Sequence, residues 1–218
     1  MPLPLLWLGA AAFSALAVKG LAEDRKSQQH RRFSDANSDK VKTIADLERY
    51  ESAIAAYPSD LLATEQKVKP VIGAIVCCGV GGLLDHTGIW VGDNTIIEVD
   101  GNGLVKPVSP QRFTDKRSGK GIFIACDSLG LPLVSEIAAQ RAIEQIYQIR
   151  DYHLFDNNCH QFIWQCFKSG AQTVTTFKTL SLNVAQLFDR VLYWDSCDCE
   201  NELTNRLTSG QSVLPNFF

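Results

Sequence analysis

The sequence lacks the charge imbalance that marks nucleic-acid-binding proteins. Lysine and arginine total 21 against 24 aspartate and glutamate residues, which gives a formal net charge of −3. This slightly acidic balance gives no support for nucleic-acid binding, which usually relies on a basic surface. No internal repeat is visible, and 218 residues with 45% hydrophobic content suit one globular domain with appendages.

The chain also lacks cysteine pairs at the spacing typical of zinc sites. Cys77-Cys78 and Cys197-Asp198-Cys199 do not match the usual motif, in which two residues separate the cysteines. The cysteine count of 7 is odd, so at least one thiol is unpaired in a monomer. Most of these cysteines are interpreted as reduced, buried, small apolar residues, and neither a metal nor a cofactor is predicted.

Charged side chains are absent from residues 2–18 at the N-terminus. This length is at the lower limit for a membrane-spanning helix, about 17–25 residues. No Lys or Arg precedes the run, which distinguishes it from most secretory signals, although Ala15-Leu16-Ala17 resembles a cleavage site. Residues 1–19 are therefore predicted to be a single-pass membrane anchor, with a signal peptide as the alternative. The basic residues that follow predict that, with an uncleaved anchor, the rest of the chain lies on the cytoplasmic side of the membrane.

The remaining chain divides by composition into four segments. Residues 20–43 are polar and are interpreted as a linker. Residues 44–67 begin with apolar positions at helical spacing, ended by Pro58, which predicts an amphipathic helix over 44–57. Residues 68–194 are predicted to form the main domain, and residues 195–218 a polar tail.

The main domain is predicted to be α+β, with an antiparallel sheet packed against helices. Its apolar patterns predict strands at 71–78, 104–108 and 122–126, and a hairpin over 86–100. An amphipathic helix is predicted over 135–150, and a second helix from Cys159 to about Gly170.

The surroundings of Cys159 predict unusual chemistry. It follows the polar turn Asp156-Asn157-Asn158 and opens an apolar-periodic segment, which places it in the first turn of a helix. Unpaired backbone N–H groups and the positive end of the helix dipole stabilise a thiolate at such a position. Cys159 is therefore the predicted nucleophile.

A cysteine nucleophile needs a base, and His86 is the predicted one. It begins a predicted strand after a loop, where its ring can project from a rigid edge. His30 lies in the linker, and His153 lies in the turn before the helix. His160 directly follows the nucleophile, but neighbouring side chains on a helix point about 100° apart, so it is expected to be badly placed to serve Cys159.

Hairpin geometry predicts Glu98 as the residue that orients His86. If residues 92–94 form a three-residue loop, Gly88 faces Glu98, and Glu98 lies one diagonal step from His86 on the same face. The missing side chain of Gly88 is expected to leave room between them. A two-residue loop would reverse the parity and move Glu98 to the opposite face, so the prediction depends on the loop length.

These motifs resemble the lecithin:retinol acyltransferase family of the permuted, NlpC-type papain-like superfamily. The resemblance covers residues 68 to about 170, in the segment His86-Thr-Gly-Ile-Trp-Val-Gly-Asp and the later Asn158-Cys159-x-x-Phe162. It implies Cys159 as nucleophile, His86 as base and Glu98 as the orienting residue. Better-known acyltransferase members have histidine in place of Glu98, and often read Asn-Cys-Glu-His-Phe where this chain reads Asn-Cys-His-Gln-Phe.

The resemblance implies a permuted papain-like fold and a membrane-associated acyltransferase or hydrolase that acts on lipid acyl esters through a thioester. Its expected partners are a lipid or other acyl substrate and a membrane, whereas the oligomeric state is not predicted. Thiol peptidase, amidase or isopeptidase activity on peptide substrates is the alternative. A non-catalytic binding domain that retains the fold is the second alternative.

Overall fold

A computed structural model describes residues 40–58, 67–80, 84–115, 117, 121–153, 157–170 and 172–199. The predicted anchor over 1–19, most of the predicted linker and the chain after residue 199 lie outside the described residues. Within the described part, no helix has the length and apolar character that crossing a membrane requires.

The described strands form one seven-stranded sheet in an α+β fold. They are β1 (Lys67–Val68), β2 (Ile75–Val80), β3 (Leu84–Gly92), β4 (Thr95–Val99), β5 (Val105–Val108), β6 (Phe123–Cys126) and β7 (Tyr193–Cys197). Their order is β1-β7-β6-β2-β3-β4-β5. The prediction of an antiparallel sheet is wrong at one edge, because β1 and β7 pair in parallel and make the sheet mixed.

Helices cover both faces of this sheet. They are α1 (Pro110–Thr114), α2 (Glu136–Ile143), α3 (Cys159–Phe167) and α4 (Phe177–Phe188). Alternate strand residues point to opposite faces, so the sheet contributes to two cores. Ile89 shares a core with buried residues of α2, α3 and α4, whereas Trp90 shares the other core with Phe113 of α1.

Residues 44–57 form a helix only over the 3-10 turn Ile44–Asp46, so the prediction of an amphipathic helix is wrong. Asp46 accepts hydrogen bonds from the backbone and the hydroxyl of Thr43, at 2.8 and 2.7 Å, and Leu47 then turns to extended backbone. Ile54 pairs with Leu192 just before β7. Pairing with the main domain, rather than helical packing, buries Ile54, so this segment belongs to the domain.

Two predicted boundaries also differ from the structure. β7 ends at Cys197, so the predicted division between domain and tail after residue 194 cuts a strand. The predicted helix over 135–150 ends at Ile143, where i→i−3 hydrogen bonds replace the helical ones, and Tyr147 then takes a left-handed φ of 68°. Ile149 is consequently exposed instead of facing the core.

The β3–β4 hairpin has a two-residue turn, so the predicted three-residue loop is wrong. Gly92 pairs with Thr95 across the turn. Asp93 and Asn94 take φ values of 45° and 52°, the left-handed conformations that a type I′ turn requires. Taken alone, this turn would have moved Glu98 to the wrong face.

A β-bulge at Val91 restores the predicted parity. The register shifts between Gly92 and Trp90, so that Trp90 faces Ile96. A bulge inserts one unpaired residue into one strand, and this residue offsets the missing loop residue. Glu98 therefore lies on the same face as His86, as predicted, but for a different reason.

Gly88 leaves no open space between His86 and Glu98. A Cβ atom at Gly88 would lie 2.5 Å from the Ile96 side chain and 3.0 Å from the ring of Phe113. The expectation of room is therefore wrong, because these side chains already fill it. Glycine is needed here because its neighbours pack directly against the backbone.

Candidate active site

Cys159 is the first residue of α3, as predicted, and Asn158 is the N-cap. The Asn158 side-chain oxygen accepts hydrogen bonds from the backbone N–H groups of His160 at 3.0 Å and Gln161 at 3.2 Å. Its amide nitrogen donates to the carbonyl of Thr175 at 2.7 Å. The cap thus pairs two backbone N–H groups of the first turn and links this turn to the segment that precedes α4.

His86 and Glu98 form the predicted contact. His86 Nε2 lies 2.7 Å from Glu98 Oε2, and the two residues are only 7% and 2% exposed. Because Glu98 occupies Nε2, Nδ1 is the ring nitrogen left to serve a thiol. The carboxylate therefore fixes both the orientation and the tautomer of the imidazole, as an orienting residue must.

Glu98 has two further cationic neighbours that the sequence did not reveal. Arg117 Nη2 lies 3.0 Å from Glu98 Oε2, and Lys106 Nζ lies 3.8 Å from Oε1. Arg117 is itself held by the Phe113 carbonyl, to which Nη1 donates. Burial alone would raise the pKa of Glu98, but hydrogen bonds and charge from His86 and Arg117 lower it. Glu98 is therefore a stable carboxylate.

Cys159 is 4% exposed, and its sulfur lies 3.9 Å from Nδ1 of His160. Burial alone would raise its pKa, but hydrogen bonds and charge from His160 and His86 lower it well below the usual value. Burial alone would lower the pKa of His86, but hydrogen bonds to Cys159 and Glu98 raise it. These opposite shifts favour a thiolate–imidazolium pair, the reactive form of a cysteine nucleophile.

His160 lies closer to Cys159 than predicted. Its Nδ1 is 3.9 Å from Cys159 Sγ and 3.2 Å from Thr87 Oγ1. The expectation that it is badly placed is therefore wrong. Helical side chains lean toward the N-terminus, and this lean offsets the 100° step between neighbours and brings the ring of His160 back to the first turn.

Other cysteines lack the environment of Cys159. Burial raises the pKa of both Cys78 and Cys166 to about 12, so neither is an activated thiol. Cys197 and Cys199 contact each other, with their sulfurs 2.9 Å apart, at the end of β7. Among the residues that the structure describes, no cluster of three or more His, Cys, Asp or Glu side chains could hold a metal ion.

Tyr152 is a neighbour of Cys159 that the sequence did not reveal. It packs against the core that contains Cys159, and its side chain interacts with the Cys159 backbone. Burial raises the pKa of Tyr152 to about 12, so the phenol is a neutral hydrogen-bonding group. In the sequence it stands in an ordinary polar turn, and nothing there distinguishes it from a packing residue.

The N-cap of α3 can be tested against a matched cap. Asn158→Ala is expected to destabilise the protein by about 1 kcal/mol and to slow alkylation of Cys159 at low pH, because the first turn loses its cap. Thr176→Ala removes the equivalent cap of α4, where Thr176 Oγ1 accepts from the Thr179 N–H at 3.1 Å. It should cost similar stability, measured by urea unfolding, without slowing alkylation. Equal slowing in both variants would contradict a specific role for Asn158.

The site unites a thiol, two imidazoles and an ionised carboxylate around the start of one helix. Such a set can attack an acyl carbonyl and shuttle the proton that the attack displaces. No protein-family model matches this chain, and no curated protein matches it either.

Proposed function

We propose that the chain is a thiol acyltransferase or hydrolase of the lecithin:retinol acyltransferase type, which acts on lipid acyl esters through a thioester on Cys159. The observation that carries this proposal is the pairing of a low-pKa thiol at the start of α3 with an imidazole held by a carboxylate at 2.7 Å. Nucleophile, base and orienting group are the three parts that covalent acyl transfer needs.

The arrangement of elements supports a permuted papain-like architecture. The base on β3 and its carboxylate on β4 precede the nucleophile on α3 along the chain. The helix that bears the nucleophile packs against the strand that bears the base, through the core shared by Ile89 and Phe162. This is the order that the family resemblance implies.

The proposed mechanism begins with transfer of the Cys159 proton to Nδ1 of His86. The thiolate attacks the ester carbonyl carbon, a C–S bond forms, and the backbone N–H of Cys159 at the start of α3 stabilises the oxyanion. The tetrahedral intermediate collapses, the C–O bond breaks, and His86 returns the proton to the departing alcohol. Water or a second alcohol or amine, deprotonated by His86, then cleaves the thioester and regenerates the thiol.

Two features favour a lipid acyl ester over a peptide. The apolar run at residues 2–18 would bring the site to a bilayer, where such esters are concentrated. An open peptide-binding groove would leave the nucleophile accessible, whereas Cys159 belongs to a largely apolar buried cluster. A slender acyl chain fits such surroundings better than a polypeptide, which also needs hydrogen bonds for its backbone.

The proposal predicts acyl transfer from phospholipid to Cys159. The full chain is incubated with phosphatidylcholine vesicles, and intact-mass spectrometry is combined with an assay for released fatty acid. We expect an acyl adduct on Cys159 or release of fatty acid, and neither product with Cys159→Ala. The fatty-acid assay detects turnover even when the thioester is short-lived. Absence of both products, or equal release by Cys159→Ala, would overturn the lipid assignment. Cleavage of peptide substrates alone would favour the peptidase alternative.

A further inference from the structure

Two consecutive residues of β3 connect to the nucleophile. Despite burial, hydrogen bonding and charge from Cys159 help to raise the pKa of His86, and the hydroxyl of Thr87 lies 3.2 Å from Nδ1 of His160, whose same nitrogen is 3.9 Å from Cys159 Sγ. Successive strand residues point to opposite faces, so the two contacts come from different sides of β3. The sulfur therefore has an imidazole from β3 and another from its own helix.

We infer that His160 is a second catalytic histidine, which donates a hydrogen bond from Nδ1 to the Cys159 thiolate while His86 carries the displaced proton. This inference rests on the role of Cys159 as the nucleophile in the proposed function. Thr87 is a positioning residue, because it contacts the ring of His160 and not the reacting sulfur.

The surroundings of His160 restrict its ring to this task. The residue is buried, its backbone N–H is fixed by the Asn158 cap, and its ring packs edge-on against Phe177 with 5.8 Å between centroids. Its Nδ1 faces both Thr87 Oγ1 and Cys159 Sγ, so an N–H at this nitrogen has two possible acceptors. A thiolate is the stronger acceptor because hydrogen bonds to charged groups are roughly twice as strong as neutral ones.

This arrangement would let the Nδ1–H of His160 change its acceptor as the charge on the Cys159 sulfur changes. When the proton leaves Sγ for His86, the Nδ1–H of His160 turns to the thiolate and retains its own proton. When the C–S bond of the thioester forms, sulfur becomes neutral and the hydroxyl of Thr87 is the better acceptor. His160 thus stabilises the thiolate both as the attacking group and as the leaving group in thioester cleavage, with no net proton transfer.

The test measures thiolate formation directly, without a lipid substrate. The rate of alkylation of Cys159 by iodoacetamide is followed from pH 4 to 9 by peptide mapping, which separates this residue from the other cysteines. The groups that act on the sulfur or on its partners are His86 on β3, His160 on α3, Tyr152 before α3, Cys78 on β2, Glu98 on β4 and Arg117 after α1. All of them except the group under test stay unchanged in each variant.

His160→Phe keeps a ring against Phe177 and removes both nitrogens. Because hydrogen bonds to charged groups contribute substantially, we expect alkylation at pH 5.5 to fall about 10- to 100-fold and the acid limb of the profile to move to higher pH. Thr87→Val removes the acceptor that competes with the thiolate for the Nδ1–H of His160, so the acid limb should move the other way, to lower pH, and Thr87→Ser should keep the wild-type profile. If Thr87 served only in packing, the acid limb would not move to lower pH in Thr87→Val and return to the wild-type position in Thr87→Ser.

Each outcome decides the matter. A wild-type profile in His160→Phe, together with a collapse in His86→Asn, would overturn the second-histidine role and leave the proposed function standing. An ordinary thiol profile for Cys159 in the wild type would instead overturn the proposed function itself. If His160→Phe does not fold, the Thr87→Val and Thr87→Ser pair decides, since both keep the ring: equal profiles would overturn the inference, and an acid limb moved to lower pH in the valine variant alone would support it.

Discussion

Replacing His86 with asparagine should lower the kcat/KM for lipid acyl esters about 10²- to 10⁴-fold, the usual contribution of a general base. Asparagine leaves Glu98 and Arg117 in contact with each other at 3.0 Å, so the buried carboxylate keeps a cationic partner. The loss should therefore reflect the missing proton acceptor more than a collapse of the site. Fatty-acid release from phosphatidylcholine vesicles measures the effect.

Two comparisons give this result its meaning. Cys159→Ala sets the background rate, and His153→Asn removes an exposed histidine, 3.8 Å from Asp151, in the turn before α3. His153→Asn should keep wild-type activity. Activity of His86→Asn within a few-fold of the wild type would show that another group takes the thiol proton.

The second large effect is expected for Glu98→Gln. The equivalent change from carboxylate to amide in a serine-hydrolase triad lowers kcat about 10⁴-fold, because the imidazole takes the wrong tautomer. Glu98 is the closest hydrogen-bond partner of His86, at 2.7 Å. We expect a loss of up to this size, smaller if the Cys159 contact keeps the ring oriented.

The pH profile of Glu98→Gln gives the sharper test. The reactive thiolate–imidazolium pair exists at pH values between the lowered pKa of Cys159 and the raised pKa of His86. Activity therefore falls as pH drops through the first pKa and as pH rises through the second. Removing the carboxylate disfavours the imidazolium, so the alkaline limb should move to lower pH. A less populated imidazolium also stabilises the thiolate less, so the acid limb should move to higher pH. The pH range over which the enzyme is active should therefore become narrower.

Asp100→Asn provides a matched control on the same hairpin. Asp100 also pairs with Lys106, at 2.9 Å, and hydrogen bonds and charge from Lys106 help to lower its pKa despite some burial. No contact with His86 is among its interactions in the described structure. Asp100→Asn should therefore be active over the same pH range as the wild type. If the pH range of activity narrowed equally in both variants, the effect would be due to general electrostatics. If it were unchanged in Glu98→Gln, Glu98 would not orient His86.

The parts of the site that could be predicted are those that local rules determine. The start of α3 at Cys159 follows from an N-cap residue before an apolar period, and the pairing of His86 with Glu98 follows from strand alternation. Local rules also led to the wrong prediction of a three-residue loop, because no residue type in 91–95 indicates a bulge. Glu98 lies on the predicted face because the shorter turn and the bulge each change the register by one residue, and the two changes cancel.

Contacts between distant segments could not be predicted from one sequence. Arg117 reaches Glu98 from a polar stretch that carries no periodic pattern, and β1 joins β7 across most of the chain. Residues 44–57 have helical spacing, but pairing with the segment before β7 overrides it at Ile54. Tertiary contacts outweigh local propensity in such segments, as they often do.

The bulge at Val91 has a consequence for how this protein could be recognised among distant relatives. Turn residues can vary among those that accept a left-handed φ, but the interval of 12 positions between His86 and Glu98 sets which face the carboxylate occupies. Deleting one residue within that interval would exchange the two faces of β4, and a compensating insertion elsewhere in the hairpin would restore them. Relatives should therefore keep the interval, or change it in steps of two, even where no turn residue is shared. Spacing between chemical groups, more than identity of the residues between them, is the inherited trait to search for.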